Sequence, residues 1–159
     1  MAETPRSVVV PVLIHKGKIL LTKRRRSPYA SYWALPGGRV EKHEHVSTAA
    51  IRGILKETGI TTQFKDYRGF VSKHLLEQGR VAHHFLLHVF MMEPMTTTVA
   101  KEKEKSAKWF DLKYISQMKN VIIPSDFMII TKMLHDKGKN YYDCVLEKDG
   151  KKRIMRSFE

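Results

Sequence analysis

The stretch from Gly37 to Ile60 constrains this chain more than any other: a glycine pair runs straight into a segment with the period of one amphipathic helix. Val46, Ala50 and Ile54 recur every four residues, and Ile51, Leu55 and Thr58 widen the stripe, so one face of a helix is expected to pack on a sheet. Gly59 stops the helix, because glycine adopts the left-handed backbone of a helix end at little cost. Ala49, Arg52, Gly53, Lys56 and Glu57 gather on the other side, by their spacing of three and four, into one surface beside the returning glycine loop. That surface is where chemistry is expected.

The rest of the chain reads as the support for this motif. Ser7 to His15 and Ile19 to Lys23 form a hairpin about the turn Lys16-Gly17-Lys18. Three consecutive arginines, Arg24 to Arg26, precede Pro28, and their planar forks suit phosphate, although a solvated strand end has the same composition. Trp33, beside Leu35 and Pro36, reads as a loop anchor. Thr61 to Lys73 and Arg80 to Met92 read as two long strands around residues 75–79. His84 and His88 would lie about 13 Å apart on one strand face and His83 on the other, so the three cannot share one metal ion. Glu93 to Ser106 is a loop by composition, Ala107 to Leu112 a short strand, and Pro124-Ser125-Asp126 the start of a second helix with Ser125 as its N-cap. Phe127, Ile130, Met133 and Leu134 supply the buried face of that helix, and Gly138 ends it. Tyr141 to Phe158 reads as a closing hairpin about Asp149-Gly150, with Cys144 a buried strand residue.

Gly38, Glu44, Arg52, Ile54, Glu57, Gly59 and Ile60 fall in register with the signature of the Nudix hydrolases, which the chain resembles over roughly residues 6 to 135. Trp33-Ala34-Leu35-Pro36-Gly37-Gly38 and Lys108-Trp109-Phe110-Asp111-Leu112 resemble the family too. Gly53 and Lys56 stand where its pattern has glutamates. The resemblance implies an α/β fold, a Nudix-like α/β/α sandwich with a mixed β-sheet and a loop-helix catalytic motif. It implies a metal-dependent hydrolase that cleaves the diphosphate linkage of a nucleoside diphosphate linked to another group. The alternative is a catalytically weak module that binds a nucleotide or RNA. Mg2+ (or Mn2+) is the implied cofactor, held by Glu57, the Gly38 carbonyl and Glu104, with Glu102 a second candidate on the same loop. Glu57, Arg52 and Glu104 are the implied catalytic residues, and Arg24, Arg26, Gly37 and Gly38 the substrate-binding ones. Arg52 would orient Glu57 or Glu44, and Glu41 could stand in for a missing ligand.

With 159 residues, 42% of them apolar, the chain fits one domain over residues 1–159, of which 139–159 is a β-hairpin extension beyond the resemblance. That tail could cover a sheet edge, mediate a dimer or shape the substrate mouth. The net charge of +13 favours polyanions: a nucleotide or dinucleotide substrate, or RNA. The longest apolar run is broken by Pro11, far short of the roughly 20 residues that span a bilayer. Residues 1–5 have no signal-peptide pattern, so a cytoplasmic location is the expectation.

Overall fold

The computed structural model describes residues 4–159. Its first strand, β1 (Arg6–His15), is buried from Val9 to Leu13 without alternation, as expected of a strand covered on both faces. Val9 and Leu13 point to one side, Val10 and Val12 to the other, and each set belongs to a different core cluster. β2 (Lys18–Lys23) returns antiparallel to β1 through Lys16 and Gly17, both at positive φ. Two short strands flank the glycines, β3 (Trp33–Ala34) on β2 and β4 (Gly38–Arg39) on β1.

Helix α1 (Val46–Thr58) follows. Gly59, at φ 78°, ends it by donating its N–H to the Leu55 carbonyl at 2.9 Å. Ile54 and Ala50 are fully buried against β1 and the neighbouring strand ends, and a buried isoleucine stabilises by about 2 kcal/mol. The buried face is rotated from the expected one. Ala49 and Gly53 lie inside, whereas Leu55 is 50% exposed. The small residues let the helix approach the glycine loop closely: a Cβ built on Gly53 would sit 3.8 Å from the Gly37 carbonyl carbon.

β5 (Thr62–Glu77) and β6 (Arg80–Pro94) form a long antiparallel hairpin, with β6 parallel to β1. The turn is tighter than expected, at Gln78 and Gly79, because the pairing continues to Glu77 and Arg80. A loop with one 3-10 turn (Lys101–Lys103) leads to β7 (Ala107–Asp111), paired with β2. Helix α2 (Pro124–Met128) runs on into a π-helical turn (Ile129–Met133). Ile123, not Ser125, is its N-cap, because Pro124 opens the first turn; Ser125 and Asp126 are turned inward. The helix ends at Leu134 rather than Gly138. Ile129, Ile130 and Met133 are buried, with Phe127 and Leu134 packed at the margin.

β8 (Tyr141–Asp149) lies parallel to β5, and β9 (Lys152–Phe158) antiparallel to β8, completing the order β3-β2-β1-β6-β5-β8-β9. Tyr142, Cys144, Leu146 and Phe158 join the larger core cluster, so the closing hairpin is packed into the same core as the central strands. Burial pushes the Cys144 thiol up to about 11. The two clusters lie on opposite faces of a mixed sheet, one under α1 and the other under α2, which is an α/β/α arrangement. No helix among the described residues is long and apolar enough to cross a membrane.

Candidate functional site

A cleft of about 660 Å³ opens where the arginine segment, the glycine loop, the end of α1 and the start of α2 meet, with β1, β5 and β6 as its floor. Its volume is that of small-molecule sites, roughly 300–1,000 Å³. Gly37 sits at its centre for a steric reason: a Cβ there would stand 2.4 Å from the Val9 carbonyl oxygen, so no other residue lets the loop lie this close to β1. The Gly37 N–H donates to Glu57 Oε1 at 3.0 Å, which ties the loop to the last turn of α1.

Arg24 joins the two ends of the cleft. One of its nitrogens lies 3.9 Å from Glu57 Oε2, and another donates to the Leu35 carbonyl at 3.0 Å. The Leu35 N–H donates in turn to Asp126 Oδ2 at 2.9 Å. Ile123 N–H donates to the Trp33 carbonyl, and Trp33 packs edge-on to Phe110, so the start of α2 is held where Asp126 reaches the cleft. Burial pushes the Asp126 carboxyl up, while the charges of Lys73 and Arg24 and the Leu35 N–H pull it down.

Lys73 is the second buried ionisable group here, 4% exposed, with Nζ 4.2 Å from the Tyr29 ring centroid and 5.4 Å from that of Phe85. The cation rests on the negative faces of the rings, which offsets part of its lost hydration. Tyr29 is itself 8% exposed, and its hydroxyl finds no hydrogen-bond partner among the described residues. Neither Lys73 nor Asp126 stood out in the sequence. One signal was present: Lys73 shares strand parity with the buried Val71 and Leu75, which puts it on the inward face.

Of the residues expected at the site, Arg24, Arg26, Gly37, Gly38 and Glu57 line the cleft, with Arg25, Arg39 and Lys56 beside them. Arg52 does not. Its guanidinium grips Glu44 with two bonds, at 2.9 and 2.6 Å, donates to the Arg39 carbonyl at 3.0 Å and lies 3.8 Å from Glu41. Arg52 therefore orients Glu44, not Glu57, and its two bonds, together with the one that the Glu41 N–H donates, hold the Glu44 carboxyl down at about 2. Glu104 is also elsewhere: it caps the 3-10 turn, exposed, and does not line the cleft. That turn is closed locally by Lys103 N–H to Ala100 O, which faces the charged run of 101–105 to solvent.

The implied Mg2+ ligand set is therefore not assembled. Glu57 is the one carboxylate at the mouth, with one oxygen taken by Gly37 N–H and the other facing Arg24. Among the described residues no three His, Cys, Asp or Glu side chains converge as a metal site would require. A divalent cation would meet one engaged carboxylate within a ring of basic side chains, and the donor set does not fit it. The arrangement instead suits an anion. Eight basic side chains line the cleft against two carboxylates, Glu57 and Asp126.

Comparison with known proteins agrees with this architecture. Over 114 residues the chain is 33% identical to an ADP-ribose pyrophosphatase of Methanocaldococcus jannaschii, covering 70% of this chain and 66% of that one. It is 26% identical over 117 residues to an oxidized purine nucleoside triphosphate hydrolase of Danio rerio, covering 72% and 73%. Against a Xenopus laevis nucleoside diphosphate-linked moiety X motif 6 protein, the match spans 49% of the relative's length. The crystal structure of a mutator MutT protein from Bacillus halodurans superposes with a TM-score of 0.76 over 97% of this chain and 96% of that one, at 19% identity, a likeness of fold. The NUDIX domain profile matches residues 3–128, and with the glycine loop, helix and mixed sheet in place, the chain belongs to the NUDIX domain family, the Nudix hydrolases.

Proposed function

We propose that the cleft receives the diphosphate of a nucleoside diphosphate linked to another group, as ADP-ribose or a nucleoside triphosphate presents it, and that the chain is an attenuated hydrolase whose binding outlasts its catalysis. The observation that carries this is the excess of basic over acidic side chains in one cleft built around the Gly37–Gly38 loop. Arg24, fixed by the Leu35 carbonyl, offers phosphate its remaining N–H donors, and Lys56 and Arg39 add charge at the rim. Nudix hydrolases generally use divalent metals, and one solved relative, a bifunctional Francisella tularensis protein, holds AMP and a manganese ion. In this chain Gly53 and Lys56 leave Glu57 alone, so the basic side chains take over the neutralisation of phosphate charge. Hydrolysis has one specific support: Glu57 faces the cleft beside the glycine loop, where a carboxylate can accept a proton from an attacking water. An RNA 5′ end offers the same diphosphate and belongs among the candidate ligands. A cytoplasmic location is part of the proposal, since nucleotides of this kind are abundant there.

The test is calorimetric titration of the full chain with ADP-ribose, a nucleoside triphosphate, a 5′-triphosphorylated RNA and pyrophosphate, in EDTA and in Mg2+, with phosphate release followed in parallel. Binding in EDTA, not strengthened by Mg2+, with slow release, is expected. Binding that requires Mg2+, together with rapid turnover, overturns the proposal.

A further inference from the structure

The basic residues at the mouth account for phosphate, but not for a lysine, a tyrosine hydroxyl and a carboxylate sunk at the inner end among Val10, Leu87 and Ile123. Burying an amine and a carboxyl is costly, and groups of this kind cluster at functional sites. Two donors, the Lys73 ammonium and the Tyr29 hydroxyl, share one wall, the ammonium 4.2 Å above the tyrosine ring. One acceptor, Asp126, enters from α2 with Oδ2 already bonded to Leu35 N–H. The apolar surroundings suit the faces of a flat ring, and the polar groups suit its edge.

We propose that the inner end of the cleft is a base-reading subsite in which Lys73, Tyr29 and Asp126 select a nucleobase carrying a ring carbonyl beside a ring N–H, as guanine and uracil do, over adenine and cytosine. This rests on the nucleotide-binding role proposed above. A carbonyl oxygen has two lone pairs and satisfies both donors, while the adjacent ring N–H donates to Asp126. The ring N1 of adenine has one lone pair, so one buried donor is left unmade, and cytosine has no ring N–H for the carboxylate. Sites built on buried hydrogen bonds discriminate strongly against ligands that leave them unpaired.

The experiment is calorimetry of the full chain in EDTA with GDP, UDP, ADP, CDP and pyrophosphate, repeated on Tyr29→Phe and Lys73→Met. GDP and UDP are expected to bind at least about tenfold more tightly than ADP and CDP. Tyr29→Phe deletes a hydroxyl without a protein partner, so its Tm should hold or rise while the preference falls about threefold. Lys73→Met should abolish the preference, while pyrophosphate is still bound through the remaining basic side chains; if that variant does not fold, Tyr29→Phe decides. Equal affinity for the four diphosphates, tightest binding of ADP or CDP, or a preference that Tyr29→Phe leaves unchanged overturns the inference while leaving phosphate binding intact. Failure of all five ligands to bind overturns the nucleotide-binding role itself, and the inference with it.

Discussion

Helix α1 carries residues of one sequence signature at its middle and at its last turn, and the two places do opposite things. At the middle Arg52 and Glu44, which precedes the helix, satisfy each other with two bonds, and Arg52 also reaches the Arg39 carbonyl, so charge is matched and the segment 39–44 is clasped to the helix. At the last turn Glu57 faces Gly37 and Arg24 in a cleft where basic side chains outnumber acidic ones. Matched charge makes a clasp, and surplus positive charge suits an anion. The same helix thus divides its signature between stability and binding.

The largest effect is expected where the two places are joined, at the glycine loop. Gly37→Ala places a methyl 2.4 Å from a backbone carbonyl that cannot swing away, and should destabilise the chain by about 3 kcal/mol in urea unfolding, with loss of nucleotide binding. An unchanged unfolding midpoint would show that the loop can retreat from β1. Next comes the last turn. Lys56→Glu reverses one charge at the rim and should weaken pyrophosphate binding about tenfold at low salt, less as salt rises, with Tm little changed. Combined with Gly53→Glu it restores carboxylates, and Mg2+ should then strengthen binding rather than leave it alone. If the double variant ignores Mg2+, the lost glutamates are not the reason for the metal-poor site.

The smallest effect belongs to the clasp and is read by pH. Glu44 ordinarily titrates at 4.5 and is held at about 2 by Arg52 and the Glu41 N–H. A carboxyl depressed in the folded chain contributes stability that is fully present above about 4.5 and is lost as pH falls toward about 2. In Arg52→Met that contribution is removed at neutral pH, so Tm measured from pH 6 to pH 2 should start lower and fall less. Parallel Tm profiles for the two proteins would mean that the clasp adds no net stability.

What was legible in the sequence is what depends on local spacing. The glycine loop, the helix stop at Gly59 and the strand pairs are set by neighbours a few residues apart, and they stand where the pattern put them. The helix face was misread because small residues carry no periodic apolar signal: Ala49 and Gly53 are inside for reasons of approach, not hydrophobicity. Glu104 was drawn to the site by the resemblance, but its loop closes on itself. Asp126 was invisible as a site residue because the N–H it receives is 91 positions away at Leu35, a separation no window of sequence reports.

The C-terminal hairpin reaches further than its place at the sheet edge suggests. Arg153 on β9 donates two hydrogen bonds to the Pro28 carbonyl, across 125 residues, and so anchors the segment that carries the three arginines. Synthesis runs from Arg24 to Arg153, so the anchor is made long after the segment it holds. The arginine segment therefore lacks this anchor until the closing hairpin has been synthesised and has docked beside it.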